Sequence, residues 1–202
     1  MKQDRRTVAA ALAGLPFVAG VARAQTPPVR VVIETAPGAI TLELYGDKAP
    51  ITVANFLRYV DEKRFDGAEF YRTVRPQAMP QAGLLQGGCH GDPKRLLPQI
   101  AHEPTTQTGL RHRIGTLSMP RRELGTADGE FFICLEEAPW YDVNPIKPGD
   151  NLGYAAFGQV VEGLEVVRAI HAMPTSPTEG ADYGMANQIL DPPVKFTAVR
   201  RA

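Results

Sequence analysis

The sequence predicts a mainly β protein, an antiparallel barrel capped by two α-helices. Three observations point there. The 202 residues carry 19 glycines and 18 prolines, a load of turn-formers that suits short strands better than a helical bundle. Short β-prone runs recur between those turn signals along most of the chain. Only two stretches show a helical period, one near each end of the domain. The length fits one domain with a sizeable core.

Residues 1–24 stand apart as a signal peptide. Lys2, Arg5 and Arg6 make a positive end, Val8 to Val21 is an apolar run too short to span a bilayer, and Ala22-Arg23-Ala24 offers an A-x-A cleavage site. Arg5-Arg6 resembles a twin-arginine signal, and an ordinary general-export signal is the alternative. Cleavage after Ala24 leaves a domain of residues 25–202, exported to the periplasm or secreted. The balanced 22 basic and 22 acidic residues then become 18 and 21, a net charge of about −3. No basic stripe remains to neutralise a phosphate backbone, which argues against nucleic acid as a partner. No later segment is apolar enough for a membrane span.

Val29 to Thr35 is β-rich, Ala36-Pro37-Gly38 signals a turn, and Ile40, Leu42 and Leu44 alternate with polar neighbours, so the domain opens with a hairpin. Val53, Phe56, Leu57 and Val60 then fall on one helical face, with Thr52 as the expected cap. Strands follow at Phe70–Val74 and Leu84–Gln86, the second ending on Gly87-Gly88. Cys89 to Arg113 has no clean period. Further strands are expected at Gly115–Met119, Glu130–Leu135 and Tyr154–Val161. Leu164, Val167 and Ile170 mark a second helix to about Met173. Pro174 to Pro193 is a Pro/Gly-rich excursion, and Val194 to Val199 is the last strand.

Arg72 is the first residue with chemical promise. Most arginines lie on solvated faces, but this one sits between Tyr71 and Thr73-Val74 in a β-prone run whose surroundings fix its head. Two cysteines, Cys89 and Cys134, do not make a disulfide framework. Cys134 reads as a buried free thiol, and a bridge to Cys89 stays open. The four histidines read as surface or loop residues. Only two serines and no Gly-x-Ser-x-Gly elbow disfavour a hydrolase. Cys89, His90, Asp92 and His102 match no tight metal-ligand spacing.

Six stretches together resemble the cyclophilin-type peptidyl-prolyl isomerases. They are Leu42-Glu43-Leu44-Tyr45 with Ala49-Pro50 and Asn55-Phe56; Phe65-Asp66-Gly67 with Phe70-Tyr71-Arg72; Gln86-Gly87-Gly88; Gly115-Thr116-Leu117-Ser118-Met119; Phe131-Phe132-Ile133-Cys134; and Phe157-Gly158-Gln159-Val160. The resemblance implies a closed eight-stranded antiparallel barrel with two capping helices, and an isomerase that uses no cofactor on proline-containing polypeptides; the chain itself is expected to be a monomer. It implies that Arg72 is the catalytic donor and that Gln86 anchors the substrate backbone. Phe132, Met119 and Leu84 would wall the proline pocket, with Trp140 and Tyr141 at its rim and Tyr154 where many relatives carry histidine. Glu130 stands where many members have glutamine. The Gln77–Gly83 loop is longer than in the best-known members and lacks their aromatic pocket residue, which leaves one wall unassigned. The same pocket would also serve a binding module or holdase that grips proline segments without accelerating them.

Overall fold

The structure, a computed structural model, describes residues 27–146 and 150–202; the expected export signal lies outside the described residues. Its strands are β1 Val29–Thr35, β2 Gly38–Leu44, β3 Glu69–Val74, β4 Leu84–Gly88, β5 Thr116–Met119, β6 Glu130–Cys134, β7 Ala155–Glu162, β8 Thr175–Ser176 and β9 Ile189–Arg201. Eight of them close a ring in the order β1-β2-β7-β5-β6-β4-β3-β9, sealed by the β1–β9 pair, and every pairing is antiparallel. The two-residue β8 pairs only with β9, outside the ring. Closure leaves the barrel no edge that could recruit another chain.

Alternation turns one residue set inward. Ile33, Leu42, Leu85, Leu117, Phe131, Ile133 and Phe157 are buried in one core, where Phe131 meets Phe56, Phe65, Phe70 and Phe196 at ring-centroid distances of 5.5–6.1 Å. Helix α1 (Pro50–Asp61) lays Val53, Phe56, Tyr59 and Val60 against this core beside β7 and β9, and α3 (Leu164–His171) packs Val167 and Ile170 beside β2 and β4. Each of these side chains, fully buried, contributes about 1.5–3 kcal/mol relative to exposure. A third helix, α2, is the single turn Thr105–Thr108 in the stretch that has no sequence period.

Three expectations need correction. Thr52 is not the helix cap: α1 begins at Pro50, and the buried Glu103 carboxylate accepts from the backbone N–H of Ile51 and Thr52 and from the Thr52 hydroxyl at 2.7–3.1 Å. A carboxylate from 51 residues away thus does the work of a local cap, at the positive end of the helix dipole. The last strand starts at Ile189 rather than Val194, because Leu190 to Pro193 bulge out between the pairs Arg72↔Ile189 and Phe70↔Val194; two prolines without N–H groups fit such a bulge. Cys134 is the buried free thiol the sequence predicts, Cys89 is free and buried as well, and burial pushes both thiols up to about 12. His171 is a buried residue of α3 rather than a surface or loop one, whereas His112 lies on a loop, as expected, but is buried there.

Candidate active site

The outward-facing set builds the site. Arg72 on β3 pairs with Gln86 on β4, Gln86 with Phe132 on β6, and Phe132 with Ser118 on β5, so one row crosses four neighbouring strands. The Gly87-Gly88 pair lets β4 run close to its neighbours. A Cβ at residue 87 would stand 2.7 Å from the Phe70 ring, and one at residue 88, where φ is +139°, would collide with the Gly129 carbonyl. Above the row lies an open groove of about 850 Å³.

Seven of the nine residues expected from the sequence line that groove: Arg72, Leu84, Gln86, Glu130, Phe132, Tyr141 and Tyr154. Leu84, Phe132, Cys134 and Ala138 form a small apolar cluster separate from the barrel core, with Val74, Tyr141 and Tyr154 packed on it. Phe132, Tyr141 and Tyr154 meet edge-on at 5.4–5.6 Å, which fixes an aromatic wall. Arg121 braces this wall: its guanidinium stands 5.8 Å from the Tyr154 ring while clamping Asp150 at 2.6 and 2.8 Å. That clamp holds the Asp150 carboxyl well below the usual range.

Met119 and Trp140 are placed elsewhere. Alternation on β5 sends Ser118 outward beneath Phe132 and turns Met119 into the main core. Trp140 is 44% exposed on the turn Pro139–Tyr141, against the far side of Tyr141 at 6.0 Å, and does not line the groove. The unassigned wall is closed from a different direction than the Gln77–Gly83 loop. None of residues 77–83 lines the groove, whereas Met185, from the excursion before β9, does.

That excursion also brings a residue the sequence reading missed. Gln188 Oε1 accepts from Arg72 Nε and Nη2 at 2.9 and 2.6 Å, and Gln86 Oε1 accepts from Nη1 at 3.1 Å. The Thr73 N–H donates to the Gln188 carbonyl at 2.8 Å, which locks the segment beside β3. Two neutral amides therefore hold the guanidinium by its two edges, and among the described residues no carboxylate pairs with it. Its charge stays uncompensated in the groove.

His112 is the second missed residue. It lies under the aromatic wall, its ring 6.2 Å from Phe132 and 5.8 Å from Tyr141. Asp142 Oδ1 accepts from both the His112 backbone N–H and Nδ1, at 3.1 and 2.7 Å, so Nε2 is left to accept from the Ser118 hydroxyl at 2.8 Å. Burial holds this imidazole below its ordinary range in spite of Asp142. A neutral, fully bonded ring is a rigid support for Phe132.

A rigid apolar cleft with a guanidinium at its edge, paired with no carboxylate among the described residues, is a surface suited to holding a polypeptide. Comparison with known proteins makes that class specific. The model of the family "Cyclophilin type peptidyl-prolyl cis-trans isomerase/CLD" matches residues 30–190. A peptidyl-prolyl cis-trans isomerase of Acinetobacter baylyi is 32% identical over 196 residues, covering 96% of this chain and 95% of that one. Peptidyl-prolyl cis-trans isomerase A of Dickeya dadantii is 34% identical, covering 85% of this chain and 87% of its own length. A cyclophilin of Cryptosporidium parvum, whose crystal structure was solved in the presence of the dipeptide Ala-Pro, shares the fold with a TM-score of 0.66 at 19% identity, over 86% of this chain and 98% of that one. The chain belongs to the cyclophilin-type peptidyl-prolyl cis-trans isomerases, enzymes that rotate Xaa-Pro peptide bonds.

Proposed function

We propose that the groove is where this chain binds and rotates Xaa-Pro segments of exported polypeptides, and that Arg72 is its catalytic residue. Rotation must break amide resonance, a barrier of roughly 18–20 kcal/mol. In the twisted state the prolyl nitrogen becomes pyramidal and recovers its lone pair. A donor aimed at that nitrogen stabilises the twisted state more than either planar one, which is what lowers the barrier. The observation that carries this reading is the Arg72 guanidinium, held by Gln86 and Gln188 and paired with no carboxylate among the described residues. Arginine suits the task because it stays charged and presents rigid donors.

In this reading the proline ring rests on Phe132 between Leu84 and the Tyr141–Tyr154 wall, and Gln86 anchors the substrate backbone. No bond is made or cut, so no base, metal or cofactor enters. Gln188 acts through Arg72 as a positioning residue. Gln188→Met, near in shape but without the acceptor, is expected to lower kcat about fivefold at an unchanged melting temperature. In an Arg72→Ala background it should cost nothing more, a result that turnover on the four members of a double-mutant cycle reads directly.

Isomerisation of a Xaa-Pro peptide by purified residues 25–202 tests the activity. Acceleration over the uncatalysed rate supports an enzyme; tight binding without acceleration supports the holdase reading. For the export role, N-terminal sequencing of the secreted protein should begin at Gln25, and a start upstream of it contradicts cleavage after Ala24.

A further inference from the structure

We propose that Glu130 is a positioning residue whose carboxylate sets the direction of a hydrogen-bond relay through Tyr71 and Gln86 to the Arg72 guanidinium. The inference rests on the reading of Arg72 as the catalytic group. Tyr71 is the extra residue of a bulge in β3, where the ladder steps from Phe70↔Gly87 to Arg72↔Gln86. The bulge lets its phenol reach two strands away. Its hydroxyl donates to Glu130 Oε2 at 2.7 Å and accepts from Gln86 Nε2 at 2.6 Å. Gln86 Oε1 in turn accepts from Arg72 Nη1 at 3.1 Å.

The two ends of this chain cannot be reversed. The backbone N–H of His90 donates to Glu130 Oε1 at 2.6 Å, and an arginine has only donors to offer. A carboxylate only accepts, so Tyr71 must give its single proton to Glu130 and turn a lone pair toward Gln86. Gln86 must then present its NH₂ to Tyr71 and its oxygen to Arg72. The amide orientation of Gln86, ordinarily ambiguous, is dictated from the far end.

Each Glu130 oxygen already accepts from a donor, and on Oε2 that donor is the Tyr71 hydroxyl, so a proton placed there toward Tyr71 meets the phenol's own proton. A proton on Oε2 turns Tyr71 round, so that it donates to Gln86. Gln86 then offers its NH₂ to Arg72, donor against donor, and the Nη1 edge comes loose. Gln188 still grips the other edge, so turnover falls several-fold and does not vanish.

The neighbours of Glu130 bear on where this happens. Tyr71 faces it from β3, with the Arg72 charge acting on the Tyr71 hydroxyl. Cys89, His90 and Gly91 face it from the turn after β4, and Asp128 from the approach to β6. The His90 ring lies flat on Tyr71 at 4.0 Å and 6°, and its Nδ1 stands 3.4 Å from Glu69. Burial pushes the Glu130 carboxyl up to about 7, with Asp128 adding to the rise, while the Tyr71 hydroxyl and the N–H groups of His90 and Gly91 pull it down.

The test is kcat for a Xaa-Pro peptide over roughly pH 5.5 to 8.5, for the wild-type domain and for Glu130→Gln. Wild-type kcat is expected to drop at least about threefold as pH falls through about 7. In Glu130→Gln the amide oxygen must face the His90 N–H, which leaves its NH₂ toward Tyr71 and fixes the reversed relay. The variant should therefore run flat with pH at the acid-limb rate of the wild type. Tyr71→Phe, which cuts the relay in the middle, should also be flat with pH, and serves if Glu130→Gln does not fold. Wild-type turnover in Glu130→Gln overturns the proposal, and so does a pH dependence that survives there, since it would belong to a group other than Glu130. Arg72→Ala separates the two layers. If that variant keeps wild-type turnover, the reading of Arg72 fails; if it loses turnover while Glu130→Gln keeps the wild-type profile, only the relay fails.

Discussion

Arg72→Ala is expected to lower kcat/KM for a Xaa-Pro peptide at least about tenfold, about 1.4 kcal/mol of lost transition-state stabilisation, with a melting curve close to wild type. The fold loses little because Arg72 makes its three hydrogen bonds to the side chains of Gln86 and Gln188, both at the groove. Catalysis loses much because the guanidinium is fixed beside the Phe132 cluster by two neutral amides, with no carboxylate among the described residues paired with its charge. Arg121, the other arginine at the wall, spends its charge on Asp150. Arg72→Lys should recover only part of the loss: a flexible ammonium cannot be gripped by both edges at once. Peptide affinity should change far less than rate, since the apolar wall is untouched. A folded Arg72→Ala protein with full turnover would remove Arg72 from the mechanism.

The second large effect separates two adjacent residues. Phe131→Ala should cost about 3–5 kcal/mol of stability, read from denaturant midpoints, and leave kcat/KM of the folded fraction near wild type. Phe132→Ala should cost less stability but at least about tenfold in kcat/KM. The two rings lie on one strand, one step apart, and the pleat sends them to opposite sides of the sheet. Phe131 is fully buried among four aromatic rings in the barrel, whereas Phe132 belongs to the small outer cluster open to the groove. Similar catalytic losses in both variants would contradict this division.

What was legible in the chain follows from how local its causes are. The hairpin of β1 and β2, the strands around Phe132 and Phe157, and the apolar face of α1 repeat at periods of 2 or 3.6, so they can be read residue by residue. The groove residues came from motif order, and seven of them converge because Arg72, Gln86 and Phe132 share one row of the sheet. Met119 was drawn in by its motif, although strict alternation on β5 already placed it inward and Ser118 outward. Gln188 carries no such signal: it lies 116 residues from Arg72 in a stretch without period, and only closure of β9 onto β3 brings the two together. His112 and Glu103 escaped for the same reason, since Asp142 and Thr52, 30 and 51 residues away, make their burial tolerable. Tyr71 was visible as a neighbour of Arg72, but the bulge that swings it toward Glu130 is a property of the paired strands.

The most direct test of the central claim is a structure of residues 25–202 with a Xaa-Pro peptide bound. The account predicts the prolyl ring seated on Phe132, with the Arg72 guanidinium, still held by Gln86 and Gln188, directed at the prolyl nitrogen. A peptide that leaves this cleft empty, or an Arg72 turned away onto a carboxylate, would contradict it.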